Sequence, residues 1–162
     1  MGTQQILLIV LSVIIVGAAI AVGIQMFNAQ AYSANKSAIA ADAQSFASQI
    51  VQYYKTPTSQ GGAGGKVKAG MEEAIGGFIG WGADETNNDN GEYLIAAVTA
   101  DTETTVTIYG LGTEVKGGTD PVRPAVRTIV KLADGTISAE VIDADEDTDL
   151  EDVADAGFSS LL

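Results

Sequence analysis

The sequence predicts an α+β protein in which a long N-terminal helix, hydrophobic and then amphipathic, packs on a small antiparallel β-sheet domain. Two observations support this prediction. The first 56 residues contain no proline and no charged side chain before Lys36, and their apolar side chains keep a helical spacing. The chain after Asn90 consists instead of short runs of Val, Ile, Thr and Tyr, separated by turn-forming pairs such as Asp134-Gly135.

The helix begins with a segment that is apolar throughout. Between Ile6 and Phe27 the only polar side chains are Ser12 and Gln25. A helix of this length spans roughly 33 Å, about the thickness of a bilayer core. Residues 1–5 contain no Lys or Arg, so the basic start of a cleavable secretory signal is missing, and we expect the segment to remain in the mature protein.

The second part of the helix is amphipathic. Residues 28–55 contain no Gly or Pro, and one narrow stripe of apolar side chains runs along them: Ile39, Ala43, Phe46, Ile50 and Tyr53. Thr56-Pro57 ends the helix, because a residue that precedes proline disfavours the helical conformation. The first domain is therefore predicted as residues 1–56, with residues 1–28 in a membrane or filament core and residues 29–56 amphipathic.

The remainder of the chain is predicted as a Gly-rich linker, residues 57–66, followed by an acidic β-rich globular domain, residues 67–162. Residues 67–82 mix apolar side chains with glycines, which predicts a short helix or an irregular packed segment. Four strands are predicted at residues 93–99, 104–109, 127–132 and 137–142. Asn90-Gly91 and Asp134-Gly135 are tight turn signals, and residues 120–124 are predicted to be a loop.

Charge and composition exclude several functions. The formal net charge is −13, and residues 57–162 carry almost all of the acidic side chains. Such a surface repels the phosphates of DNA and RNA, so no nucleic acid binding is expected. The chain has neither cysteine nor histidine, which excludes disulfides, Cys-ligated zinc and histidine acid–base chemistry. No nucleophile–base pattern is present, so the protein is predicted not to be an enzyme.

Near the C-terminus, acidic side chains occupy every second position: Asp143, Asp145, Asp147 and Asp149. Carboxylates at this spacing are able to wrap a hard cation, so calcium is one interpretation, although the EF-hand pattern is not met. The other interpretation is a solvated acidic loop that leads into a short last helix near residues 150–156. The chain ends in apolar side chains that are expected to dock on the domain or on a neighbour: Phe158, Leu161 and Leu162.

In its first 56 residues the chain resembles the type IV pilins. The resemblance lies in a short polar start, the apolar run ILLIVLSVIIVGAAIAVGI, and an amphipathic helix that feeds a small C-terminal domain. Members of that family begin the mature chain with a hydrophobic residue, matched here by Met1, and carry Glu at the fifth position. This chain has Gln5, whose amide offers a neighbouring subunit's N-terminal amine a hydrogen bond but no charge. It also lacks the family's helix-breaking proline, so a more continuous helix is expected.

The resemblance implies a structural subunit of an extracellular type IV pilus-like filament, a homo-polymer that self-assembles through the N-terminal helix. It further implies insertion in the inner membrane before assembly and handling by the pilus assembly machinery. Apart from the calcium interpretation of the acidic series, no cofactor is expected. The helix also fits a second hypothesis, a single-pass anchor for an extracytoplasmic β-domain that binds a ligand or partner. The side chains predicted to mediate self-assembly are Met1, Gln5, Ile6, Leu7, Leu8, Val10, Leu11, Ile14, Ile15, Gly17, Ala18, Ala21, Val22, Ile24 and Phe27.

Overall fold

The computed structural model describes residues 2–100, 104–118 and 120–155. Three α-helices and five strands follow one another within these residues: α1 (Thr3–Lys55), α2 (Glu72–Ile79), β1 (Glu85–Asn87), β2 (Gly91–Ala100), β3 (Thr104–Gly112), β4 (Val122–Lys131), β5 (Thr136–Asp145) and α3 (Leu150–Asp155). A single turn of 3-10 helix, Thr58–Gln60, follows α1. The predicted long helix on an antiparallel sheet is confirmed. Four residues named in the predictions lie outside the described residues: Met1, Phe158, Leu161 and Leu162.

α1 is one uninterrupted helix of 53 residues. Since an α-helix rises 1.5 Å per residue, it is roughly 80 Å long. Only its second half is covered by the rest of the chain, along a stripe made of Tyr32, Asn35, Ile39, Ala43, Ala47, Ile50 and Tyr53. The predicted stripe is therefore confirmed, with Phe46 half-buried beside it. The ring of Phe46 meets Trp81 and Tyr93 edge-on, at centroid distances of 5.0 and 5.1 Å.

The sheet has five strands in the order β1-β2-β3-β4-β5, and every neighbouring pair is antiparallel. The prediction of four strands is wrong by one, because the short edge strand β1 carries no apolar alternation. The prediction of a loop at residues 120–124 is also wrong in part, since β4 begins at Val122 and includes Pro124. β5 continues to Asp145, three residues beyond its predicted end.

Each face of the sheet packs against helices. Val106 and Ile108 of β3 are fully buried on the face that packs against α1 and α2, as the alternation of this strand predicts. On the opposite face, Leu111 and Ile142 pack against Leu150 and neighbouring side chains of α3. The sheet therefore has two cores, and α1 supplies one wall of the larger one.

The Gly-rich segment 57–66 is folded back against the end of α1. The last carbonyl groups of a helix have no partner within it. Here the N–H groups of Ala63 and Gly65 donate to the carbonyl oxygens of Tyr53 and Tyr54 at 3.0 and 2.8 Å, and Ala63 is buried. The segment thus caps α1 and directs the chain toward α2.

Candidate assembly surface

The first half of α1 projects from the sheet domain with its apolar side chains exposed. No residue from Thr3 to Gln30 is buried or half-buried. The exposed fraction of its large apolar side chains ranges from 49% at Leu11 to 73% at Phe27. An 18-residue window of this helix has a mean hydropathy of 3.0, and the helix is long and apolar enough to cross a membrane.

Every predicted self-assembly residue that the structure describes lies on this exposed half, from Gln5 to Phe27. Sequence reasoning left out several equally exposed side chains of the same segment: Ile9, Val13, Val16, Ile20 and Met26. The segment has no polar face, because its apolar residues surround the helix and do not form one stripe. Every large apolar side chain of the segment could therefore have been included in the prediction. We call residues 3–30 of α1 the apolar arm.

The base of the apolar arm is fixed to the sheet by an ion pair between Lys36 and Asp143 of β5, with 2.6 Å between Nζ and Oδ1. The hydrogen bond from Lys36 holds the pKa of Asp143 below its usual range, and the nearby phenol of Tyr32 lowers it further. The pKa of the Tyr32 phenol is raised, first by burial and then by the neighbouring Asp143 carboxylate. Asp143, predicted as a calcium ligand, thus has a lysine as its partner.

A second attachment lies further along α1, at Asp42. Its Oδ2 accepts hydrogen bonds from Asn88 Nδ2 at 2.9 Å, Asn90 Nδ2 at 2.8 Å and the phenol of Tyr93 at 2.9 Å. Burial raises the pKa of this carboxyl group, but the three hydrogen bonds outweigh it, so the net pKa is lowered. One carboxylate therefore holds together the helix, the turn after β1 and strand β2.

Asn35 provides a third attachment between the same elements. Its Nδ2 donates to the carbonyl oxygen of Asn90 at 2.7 Å, and its Oδ1 accepts from the N–H of Glu114 at 3.4 Å. A buried amide whose oxygen and nitrogen are both hydrogen-bonded restricts the position of the helix on the sheet, because a shift of the helix would leave a buried polar group without a partner. Together with Lys36 and Asp42, it sets the angle at which the apolar arm leaves the sheet.

The four predicted metal ligands are not brought together. Asp143 and Asp145 lie on β5, and Asp147 and Asp149 follow in the turn before α3. Among residues 2–100, 104–118 and 120–155, no three acidic side chains form a group that would hold a metal ion. Asp149 lines an open cavity of about 590 Å³ beside β1 together with Glu85, Glu92 and Glu151. Calcium binding stays a prediction that this geometry does not favour.

Comparison of the chain with protein-family models, with curated proteins and with solved structures gave no match.

Proposed function

We propose that this protein is a structural subunit of an extracellular type IV pilus-like filament, which assembles from copies of the chain through the apolar arm. One observation carries the proposal. A single unbroken helix is exposed and apolar on every side in its first half, and forms one wall of the domain core in its second half. A helix that is apolar all round is stable when it is surrounded on all sides, as in a bilayer or in a bundle of like helices.

The free energy gained by burying the apolar arm differs between two transfers, from water to an apolar environment and from the bilayer to a bundle of helices. Each large apolar side chain that leaves water contributes roughly 1.5–3 kcal/mol, so the apolar arm is strongly driven out of water. Transfer from a bilayer to a bundle of helices gains far less, because lipid is already apolar. In this proposal the subunit resides in the inner membrane first, and assembly machinery extracts it into the filament.

The glycines of the apolar arm support close packing between copies. A Cβ atom built at Gly17 or Gly23 would meet no atom of the chain within 4 Å. Nothing within one copy therefore requires a small residue there, although glycine in a helix costs about 1 kcal/mol relative to alanine. Close approach of a neighbouring helix gives these positions, with Ala18 and Ala21 between them, a physical reason.

The continuity of α1 favours the filament over a simple anchor. An anchor requires only the span from Ile6 to Phe27, which by length alone also fits a bilayer. Here the same rod continues into the sheet domain, and Asn35, Lys36 and Asp42 fix its direction. A fixed direction has value where many copies must present their domains in a regular array, and the acidic domain surfaces keep such an array soluble.

The proposal is tested by removing detergent from the purified full-length chain and imaging the product by electron microscopy. Helical filaments of the wild-type chain are expected. Ile14→Asp places a charge in the apolar arm and is expected to abolish them, whereas Ser59→Asp adds the same charge to the exposed turn after α1 and serves as the matched control. A monodisperse wild-type monomer in detergent that yields no filaments would support the single-pass anchor instead.

A further inference from the structure

The sheet domain reaches back along the apolar arm at one place, the segment that follows β3. Lys116, Gly117 and Gly118 lie beside Gln25, Asn28 and Ala29 of α1 and enclose an open notch of about 470 Å³ with them. We call these six residues the arm notch. It lies where the apolar run ends, because the first polar side chains after Ser12 are Gln25 and Asn28.

The position of Lys116 is well defined. Its N–H donates to the carbonyl oxygen of Val122 at 2.9 Å, and its carbonyl oxygen accepts from the N–H of Val122 at 3.3 Å. Its Nζ lies 5.9 Å from the ring centre of Tyr32, within the range of a cation–π contact. Lys36 forms an ion pair with Asp143, whereas no carboxylate of the described residues lies within ion-pair distance of Lys116. The charge of Lys116 is still close enough to Asp143 to help lower the pKa of that carboxyl group.

The other walls of the notch also offer hydrogen-bond donors. No hydrogen bond joins the N–H groups of Gly117 or Gly118 to another described residue, and a Cβ built on either would meet nothing within 4 Å. The amide side chains of Gln25 and Asn28 are exposed on the helix. A lysine, two open backbone N–H groups and two amides form a set of donors suited to a phosphate oxygen.

We propose that the arm notch binds the phosphate of a phospholipid headgroup while the apolar arm spans the membrane. The source of the phosphate follows from the position of the notch. If the span covers Ile6 to Ile24, then Gln25, Asn28 and Lys116 lie at the boundary between hydrocarbon and water, where headgroup phosphates are found. Among the described residues outside the arm, Val115 and Phe78 are the exposed large apolar side chains. In this arrangement Val115, next to Lys116, would face the edge of the hydrocarbon.

This inference rests on the membrane-inserted stage of the proposed function. Its consequence is that the strongly acidic domain is held at the bilayer by one basic contact and not by a general attraction, since anionic lipid repels the remaining surface. The contact is lost when the subunit leaves the membrane.

The first experiment locates the segment. The chain has no native cysteine, so a single cysteine at Gly118 accepts one spin label in open space. In nanodiscs that contain a nickel-chelating lipid, relaxation of this label is expected to be strong, and relaxation of a label at Ser59→Cys, beyond the far end of α1, weak. Equal relaxation at both positions would overturn the proposal.

The second experiment measures the ligand by native mass spectrometry of the full-length chain titrated with phosphatidylglycerol. Lys116→Ala is expected to weaken binding about five-fold, the contribution of one lysine near a membrane surface. Lys116→Arg should restore binding, and Lys66→Ala, an exposed lysine at the far end of α1, should leave it unchanged. Equal binding by wild type and Lys116→Ala, or displacement of the lipid by inorganic phosphate, would reject a headgroup site. Either of these results would reject the headgroup site and leave the filament proposal standing. A chain that fails to float with liposomes would instead contradict the membrane-inserted stage of the proposed function.

Discussion

The phenol of Tyr93, near the start of β2, donates a hydrogen bond of 2.9 Å to Asp42, on the helix that carries the apolar arm. The two residues are 51 positions apart, and Tyr93 is fully buried. The bond places a charged, half-buried acceptor on the helix against a fully buried phenol of the sheet, and it predicts how the domain responds to mutation and pH.

Asp42→Ala is expected to lower the free energy of unfolding by about 2 kcal/mol, because it leaves the buried phenol of Tyr93 and two amides without their acceptor. Asp42→Asn keeps a carbonyl oxygen and is expected to lose less. The measurement is urea unfolding of the full-length chain in detergent micelles, followed by the fluorescence of Trp81, the single tryptophan. If Asp42→Ala unfolds at the same urea concentration as the wild type, then water replaces the three hydrogen bonds to Asp42 without loss of stability.

Stability is expected to decline at both ends of the pH scale. The folded-state pKa values of Asp42 and Asp143 are lowered from 3.8, so the stabilisation by these carboxylates is complete above pH 3.8 and is lost as the pH falls through the lowered values. The pKa values of Tyr32 and Tyr93 are raised from 10.0, chiefly by burial, so their contribution is lost as the pH rises above 10.0.

The corresponding measurement is the melting temperature as a function of pH. A plateau from about pH 5 to 9 is expected, with a fall below about pH 4. The double variant Asp42→Asn/Asp143→Asn should have a lower melting temperature on the plateau and a smaller fall in melting temperature below about pH 4, the acid limb of the curve. If the double variant keeps the wild-type acid limb, other carboxylates are responsible for it.

Two isoleucines of the same helix are expected to behave in opposite ways. Ile39 is fully buried in the core, whereas Ile14 is 62% exposed on the apolar arm. Ile39→Ala is expected to destabilise the domain by about 2–5 kcal/mol, the usual effect of deleting a core side chain. Ile14→Ala should leave urea unfolding of the detergent-solubilised chain unchanged and should weaken filament formation. A loss of domain stability in Ile14→Ala would mean that the arm packs on its own domain.

Adjacent glycines in α2 provide a further contrast. A Cβ at Gly76 would clash with the backbone carbonyl oxygen of Ala83, whereas a Cβ at Gly77 would meet nothing within 4 Å. Gly76→Ala is expected to displace the chain after α2 and to destabilise the domain, while Gly77→Ala is expected to stabilise it by about 0.5–1 kcal/mol, since alanine favours the helix. Thermal unfolding of the two variants measures both effects. Similar melting temperatures would contradict the predicted contact with Ala83.

The long helix and most of the sheet were predictable because they follow from local patterns. The uniform apolarity before Phe27 and the alternation of Val106 and Ile108 both identify an element from neighbouring residues alone. β1 had no such pattern. Glu85–Asn87 is a strand only because it pairs with β2, and the turn that follows it is held by Asp42. Pairing between distant parts of the chain is not visible in a short window.

The same limit applies to the candidate site. The apolar arm was predictable from its uniform apolarity, although five of its exposed large apolar side chains were left out of the predicted set. Asp143 was assigned to an acidic series because aspartates follow it at every second position. Its partner in the structure, Lys36, is 107 positions away and belongs to another element. An ion pair of this kind follows from the register of β5 against the helix, which the sequence alone does not specify.

The unbroken course of α1 also makes it a lever. A tilt of about 5° in the apolar arm moves the Lys55 end of a rod of this length by roughly 7 Å. Because Asn35, Lys36 and Asp42 clamp the sheet to the rod, the acidic domain must travel with it. In the proposed filament, a small tilt of the apolar arms would therefore produce a much larger displacement of the sheet domains, and the spacing between the domains would change with the packing of the arms.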